Sequence, residues 1–309
     1  MTERPLITVN EVRNNFIKSY ILVIILVGMI IGLGYLIGYL AENPIYGVQI
    51  AVLACVIIIP IQLLMAKFFI LKMTKGHPLD PSNPKHRRLK SITEGLAISA
   101  GMRRVPDIYT TPSSVPNAFA GGMSEKSAFI GVTDGLLDLL DDIELTGVVA
   151  HEISHIVHRD VMLSQLAVAL VSVILFLSFI ASRMAFFMNP RGNRRSSGGK
   201  AGGLIMIMIL FAILIRPLAQ LISNLLMLAI SRKREYAADA YAVRLCGFNE
   251  GIASALSKLG GIKKLSNDQV ESLGGESMSC LYIHFGNVKS LFSTHPPIEE
   301  RVRRLRAMY

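Results

Sequence analysis

Residues 141–155 read DDIELTGVVAHEISH, a segment that predicts one capped helix. Asp141 is followed three residues later by Glu144, a pattern in which the two side chains satisfy each other's backbone donors at the start of a helix. Apolar residues then follow at helical spacing, at Leu145, Val148 and Val149. The helix therefore ends on the pentapeptide HEISH, residues 151–155.

This pentapeptide is an H-E-x-x-H pattern, which favours a catalytic metal site. His151 and His155 lie one turn apart on one helix face, so both imidazoles reach the same ion. Glu152 lies on the adjoining face, where it would act as the general base toward a reacting water. Nitrogen ligands suit zinc, and we expect one Zn2+ per subunit. Two ordinary surface histidines are the alternative, and the complete pattern inside a capped helix argues against it.

A third protein ligand is expected, and Glu235 is the better of two candidates. His158 lies two turns after His151, about 10 Å along the helix axis, which is too far for one ion to bind both. Glu235 lies in the segment REYAADA, residues 234–240, a small-residue helix in which Asp239 falls one turn later on the same side. Asp239 would orient a ligand histidine. Without the upstream motif, these two acids would indicate only a solvated helix face.

The chain is more apolar than a soluble domain. It is 51% hydrophobic and 17% charged, which predicts that lipid surrounds part of it. Four stretches are long enough to cross a bilayer; they cover residues 19–41, 43–66, 161–182 and 201–231. We interpret the first as a retained anchor, because it exceeds the apolar region of a cleaved signal peptide. Its glycine pairs would let another helix pack closely; they are Gly28 with Gly32 and Gly34 with Gly38.

The net charge of +10 indicates membrane topology. Basic residues flank the apolar stretches and do not alternate with aromatic residues, so we expect no nucleic-acid partner. Bases precede the first stretch and follow the second, which places both flanks, and the active site, in the cytoplasm. Arg216 and Pro217 interrupt the fourth stretch and the preceding loop is basic, so a re-entrant hairpin is an alternative to two full spans. Three widely spaced cysteines indicate neither a disulfide framework nor a thiolate metal site.

These patterns predict four regions. Residues 1–72 form a membrane hairpin with helices at about 19–41 and 44–71, and residues 73–160 form the first part of a catalytic domain. Residues 161–231 form two further membrane or re-entrant helices around a basic Gly/Ser-rich loop at 183–203, and residues 232–309 complete the catalytic domain. Within the first catalytic part we expect a helix over 84–102, a strand over 107–110 and a β-hairpin of 118–120 with 128–133.

Four segments also carry a family resemblance that covers most of the chain from Met73 onward. They are Pro116-Asn117-Ala118-Phe119, the HEISH motif continuing to Arg159-Asp160, Glu235 with Asp239, and Ser293-Thr294-His295-Pro296-Pro297 leading to Glu299-Glu300-Arg301. In these segments the chain resembles the HtpX-like membrane zinc metalloproteases, which are related more distantly to the CAAX prenyl endopeptidases.

The resemblance implies a fold and a function. The fold is an α-helical membrane protein with an α+β, thermolysin-like (gluzincin) zinc peptidase domain, mostly helical with a small β-sheet. The function is that of a multi-pass cell-membrane endopeptidase acting in protein quality control or the stress response. Its expected partners are the lipid bilayer and polypeptide substrates, namely membrane or misfolded proteins cleaved at the cytoplasmic surface.

The resemblance also implies roles for residues that the spacing alone does not single out. Asn117, Ala118 and Phe119 look like an edge strand that pairs with extended substrate; a proline-led turn is the alternative. His295 resembles the group that stabilises the tetrahedral oxyanion. Arg301 resembles a partner of that histidine, but one sequence does not separate it from the other bases of 301–306.

Two other functions fit parts of the sequence. An intramembrane protease of the site-2 type would bury the motif in lipid, and the charged residues around it argue against this. A zinc transporter or an inactive scaffold would bind metal without needing Glu152 as a base.

Overall fold

The computed structural model describes residues 42–162, 165, 232–261 and 296–308, together with part of 17–39. The third and fourth predicted apolar stretches therefore fall almost entirely outside the described residues. The predicted loop at 183–203 and His295 also lie outside them.

The described elements are seven helices and four short strands. The helices are α1 (Pro44–Met73), α2 (Pro84–Ser99), α3 (Asp134–Leu139), α4 (Asp142–Val157), α5 (Arg232–Cys246), α6 (Glu250–Gly260) and α7 (Ile298–Arg306); the strands are β1 (His77–Pro78), β2 (Asp107–Thr111), β3 (Ala118–Gly121) and β4 (Phe129–Thr133). They form a mostly helical protein with one small mixed sheet, in agreement with that part of the predicted fold.

These residues divide between two compact units. One contains Met65–Gln165 and the described parts of Met227–Tyr309, and the other contains the described parts of Ile17–Leu64. The four predicted regions, with limits at 72, 160 and 231, stay a prediction.

Helix α1 is long and apolar enough to cross a bilayer. Its most apolar window has a mean hydropathy of 2.5, and its 30 residues extend about 45 Å, compared with roughly 30 Å of hydrocarbon. A Cβ on Gly47 would overlap the carbonyl oxygen of Gly34 and lie 2.8 Å from Gly38 Cα. The close packing predicted for the second glycine pair is thus present, whereas Gly28 and Gly32 have no such neighbour within 4 Å in the described part of the chain.

The sheet has the order β1-β2-β4-β3, with β3 as an outer strand. The predicted hairpin is confirmed, since β3 and β4 pair antiparallel with Gly121 opposite Phe129. Strand β2 joins β4 in parallel. The predicted helix over 84–102 stops early, at Ser99, because Gly101 takes a left-handed conformation with φ of 69° and ends it in the usual glycine manner.

Helix α4 occupies the centre of the core. Its predicted start is confirmed: Asp141 Oδ1 accepts from the Glu144 backbone N–H at 2.9 Å, and Glu144 Oε2 accepts from the Asp141 N–H at 3.0 Å. Three of its side chains, Leu145, Val149 and Ile153, are completely buried. The helix packs against α2, α5, α6 and β3. The element that carries HEISH is therefore held on several sides.

Candidate metal centre

Helices α4 and α5 bring His151, His155 and Glu235 together. The two histidine Nε2 atoms lie 3.2 Å apart, and each lies 3.6 Å from a carboxylate oxygen of Glu235. His151 and Glu235 are buried and His155 is partly buried. A tetrahedral ion with ligands at about 2.1 Å would separate those ligand atoms by about 3.4 Å. The three predicted ligands therefore fit one ion, and two imidazoles with one carboxylate suit zinc.

Asp239 stands behind the first histidine, as the sequence predicts. Its Oδ1 lies 3.0 Å from His151 Nδ1, so a proton on Nδ1 leaves the Nε2 lone pair directed at the shared site. Burial raises the pKa of Asp239, but Arg301 and His151 outweigh burial and lower that pKa to about 2. The carboxylate is therefore ionised and holds one tautomer of the ring.

Asp160 stands behind the second histidine, a role that the sequence analysis did not assign. Asp160 Oδ2 lies 3.2 Å from His155 Nδ1. Burial lowers the pKa of His155, but the hydrogen bond with Asp160 and the negative charges of Glu235 and Asp160 together raise it above its ordinary value. Helical periodicity offered no signal here, because Asp160 lies past the end of α4, where Arg159 turns the chain with φ of 62°.

Arg301 is the residue that sequence reasoning most underestimated. It is 1% exposed and donates two hydrogen bonds to Asp239, from Nε to Oδ2 at 2.8 Å and from Nη2 to Oδ1 at 2.7 Å. Its Nη1 lies 3.5 Å from Glu235 Oε2. Burial lowers the pKa of Arg301, but Asp239, Glu235 and Glu152 raise it above its ordinary value. The signal that separates it from the other bases of α7 is its spacing from Leu305, one turn later on the same buried face.

The remaining predicted residues fall in different places. Glu152 is 3% exposed and follows His151 on α4. His158 ends that helix with its Nδ1 2.6 Å from the Ser154 carbonyl oxygen, outside the converging ligand group. The predicted partnership of Arg301 with His295 lies outside the described residues.

The three predicted substrate-contacting residues lie at and just before β3. Ala118 and Phe119 belong to this outer strand, which packs beside α4. Asn117 precedes them, and its backbone N–H donates to Thr133 Oγ1 at 2.8 Å. Their contact with substrate stays a prediction.

A helix-borne H-E-x-x-H pair completed by a carboxylate from a second helix is the ligand set of a metal-dependent peptidase. Residues 83–309 match peptidase family M48. The chain belongs to this family, and the protein is a metalloprotease, a hydrolase that acts on polypeptides.

Individual relatives agree with the family assignment and confirm the predicted resemblance. "Protease HtpX homolog" of Dictyoglomus thermophilum is 40% identical over 232 residues, covering 74% of this chain and 72% of the relative. "Protease HtpX homolog" of Streptococcus pneumoniae is 33% identical over 304 residues, covering 97% and 99%. The crystal structure of S. mikatae Ste24p is 23% identical, with a TM-score of 0.47, and covers 96% of this chain and 66% of that one.

Proposed function

We propose that this metalloprotease is a multi-pass, membrane-bound zinc endopeptidase. It hydrolyses peptide bonds of membrane or misfolded proteins at the cytoplasmic surface of the cell membrane, in quality control or the stress response. One observation carries the catalytic part of this proposal: the ligand atoms of His151, His155 and Glu235 converge, with Glu152 buried on the helix that supplies two of them.

Each residue of the centre has a distinct task. Zinc, held by His151, His155 and Glu235, would polarise the scissile carbonyl and acidify water. Glu152 takes the proton of the attacking water and passes it to the leaving amine.

Residues around the ligands hold and position them. Asp239 and Asp160 keep the Nε2 atoms of the two histidines pointed at the ion. Arg301 balances the surrounding carboxylates.

Substrate handling rests on the family resemblance. His295 donates to the oxyanion of the substrate as it becomes tetrahedral. Strand β3, entered through Asn117, pairs with the extended polypeptide and supplies backbone hydrogen bonds. Its terminal place in the sheet supports this assignment.

The end of α1 supports a site close to the membrane. Lys67 lies near the end of this helix and pairs with Asp107 of β2 at 2.6 Å. Its ammonium also lies 5.0 Å from the centre of the Tyr109 ring. The first charged residue of α1 therefore contacts the catalytic sheet. The bases that follow it favour the cytoplasmic side.

Metal content and casein cleavage of the detergent-purified full chain test the proposal. We expect Glu152→Gln to keep one zinc per chain and to cleave at least ~100-fold more slowly, because it loses only the general base. Glu235→Ala should lose both zinc and cleavage, because two ligands remain. Glu94→Gln, which changes a carboxylate paired with Lys90 on α2, serves as the control. Wild-type cleavage rates in folded Glu152→Gln protein would refute the assigned mechanism.

A further inference from the structure

Asp160 makes a second contact beyond the ligand histidine. Its Oδ2 faces His155 Nδ1 at 3.2 Å, and its Oδ1 lies 3.0 Å from Arg234 Nη1. The side chains of Asp160 and Arg234 are only 7% and 11% exposed. The carboxylate therefore bridges an imidazole and a guanidinium in a site with little solvent.

Asp160 and Arg234 belong to the two different chain segments that supply the metal ligands. Asp160 follows α4, the helix of both histidines, after the left-handed turn at Arg159. A residue with a side chain rarely adopts that conformation, and the turn brings Asp160 back alongside His155. Arg234 directly precedes the third ligand, Glu235, on α5. The Asp160–Arg234 pair thus joins the two ligand helices without passing through the metal.

From this geometry we infer that Arg234 is a positioning residue of the metal centre. It holds the Asp160 carboxylate in place, and Asp160 in turn fixes the ring orientation of His155. This inference rests on the proposed zinc site.

Charge explains why a cation is needed beside Asp160. A carboxylate with so little solvent is stable only when a cation or several donors compensate its lost hydration. Arg234 supplies that charge. Without it, Asp160 gains by rotating toward water, and that rotation removes the acceptor that orients His155.

The same arrangement occurs behind the other histidine. Arg301 grips Asp239, and Asp239 holds His151 Nδ1. Both ligand imidazoles are thus backed by an aspartate that an arginine holds. They differ in geometry: Arg301 makes two hydrogen bonds to its aspartate, whereas Arg234 pairs with Asp160 through Nη1 at 3.0 Å. A lysine, which acts as a point charge, should therefore replace Arg234 in part.

Zinc affinity, measured by chelator competition on the full-length protein in detergent, tests this role without relying on activity. We expect Arg234→Met to weaken zinc binding by about 10- to 100-fold, the usual effect of losing an outer partner of a ligand. Arg234→Lys should recover most of that loss. Arg306→Met is the matched control, since it removes an Arg–carboxylate pair of similar length, to Glu250 at 2.9 Å, that touches no ligand.

A double-mutant cycle separates positioning from general damage. If Arg234 acts through Asp160, Arg234→Met should change the zinc affinity little once Asp160→Asn is present. Additive losses in the double variant would overturn the inference, as would an Arg234→Met affinity equal to that of wild type. Cobalt-substituted protein adds a second readout, because a reoriented His155 changes the visible absorption of Co2+ in Arg234→Met and not in Arg306→Met.

The proposal and the function on which it depends fail differently. Wild-type protein that binds no zinc would refute the metal site itself. Tight binding by wild type and Arg234→Met alike would refute only the role of Arg234. If Arg234→Met does not fold, two other variants decide the question by the same zinc affinities. They are Arg234→Lys and the double variant Arg234→Met with Asp160→Asn, which buries no unpaired charge.

Discussion

Replacing Gly147 by alanine should destabilise the protein, against the ordinary preference of helices. Gly147 lies on α4, one turn before His151. A Cβ at this position would overlap the backbone nitrogen of Ile252 and lie 2.8 Å from the carbonyl carbon of Gly251. Carbon atoms normally approach no closer than about 3.5 Å, so the start of α6 would have to retreat by roughly 0.7 Å.

The magnitude follows from two opposing terms. Alanine favours a helix over glycine by about 1 kcal/mol. Forced overpacking costs about 1–3 kcal/mol, and we expect the upper end because the obstacle is backbone and because α6 buries Ile252, Leu256 and Leu259. The net loss of about 2 kcal/mol should lower Tm by about 3 °C, because the entropy of unfolding is about 2.1 cal/mol/K per residue and the chain has 309 residues.

Thermal unfolding of the zinc-loaded, detergent-purified chain measures this effect by far-UV circular dichroism at one fixed scan rate. Gly95→Ala is the matched control, because a Cβ on this α2 glycine meets nothing within 4 Å. Only the difference in helix propensity acts there, so Tm should rise by about 1–2 °C. A Gly147→Ala protein that melts at or above wild type would refute the close-packing argument.

Two further predictions concern the start of α4 and the support of His151. Glu144→Gln should cost about 2–3 kcal/mol at neutral pH, because Glu144 accepts from Lys258 Nζ at 2.7 Å and Ser254 Oγ at 2.6 Å. Burial raises the pKa of Glu144, but its hydrogen-bond partners together lower it further than burial raises it. The stabilisation that they provide is therefore present above the unfolded pKa of about 4.3, and it is lost as pH falls through the lower folded pKa. The Tm difference between wild type and Glu144→Gln should therefore shrink between pH 7 and about pH 3; a constant difference would contradict it. Asp239→Asn should weaken zinc binding by about 10- to 100-fold in chelator competition, whereas exposed Asp80→Asn should not; equal affinities would show that Asp239 does not support His151.

Much of this centre can be predicted from the sequence because it depends on contacts between residues that are close together in the chain. The capping box of Asp141 and Glu144 and the four-residue spacing of the histidines depend only on helix geometry. Two residues escaped prediction, Asp160 and Arg234, and their contact joins positions that are far apart in the sequence. Their contact depends on how α4 and α5 pack and on the left-handed backbone conformation of Arg159. No sequence pattern specifies either feature.

The sheet shows the same division between local and distant information. The β3–β4 hairpin follows from two glycines between short apolar runs. The parallel β2–β4 pairing and the outer position of β3 depend on how the chain returns across the sheet. A resemblance to a known family was therefore needed to single out Asn117, Ala118 and Phe119, since their own pattern is compatible with a plain turn.

The charges at the centre explain why protonation of the imidazoles and binding of the metal ion depend on each other. Glu152, Glu235 and Asp239 bury three carboxylates, and Arg301 compensates one. Without a metal, protonation of His151 compensates a second: burial lowers the pKa of His151, but Asp239 and Glu235 raise it to about 9. A divalent cation would match the two carboxylates that Arg301 leaves uncompensated, and His151 would release a proton on binding it through Nε2. This balance favours a divalent ion over a monovalent one.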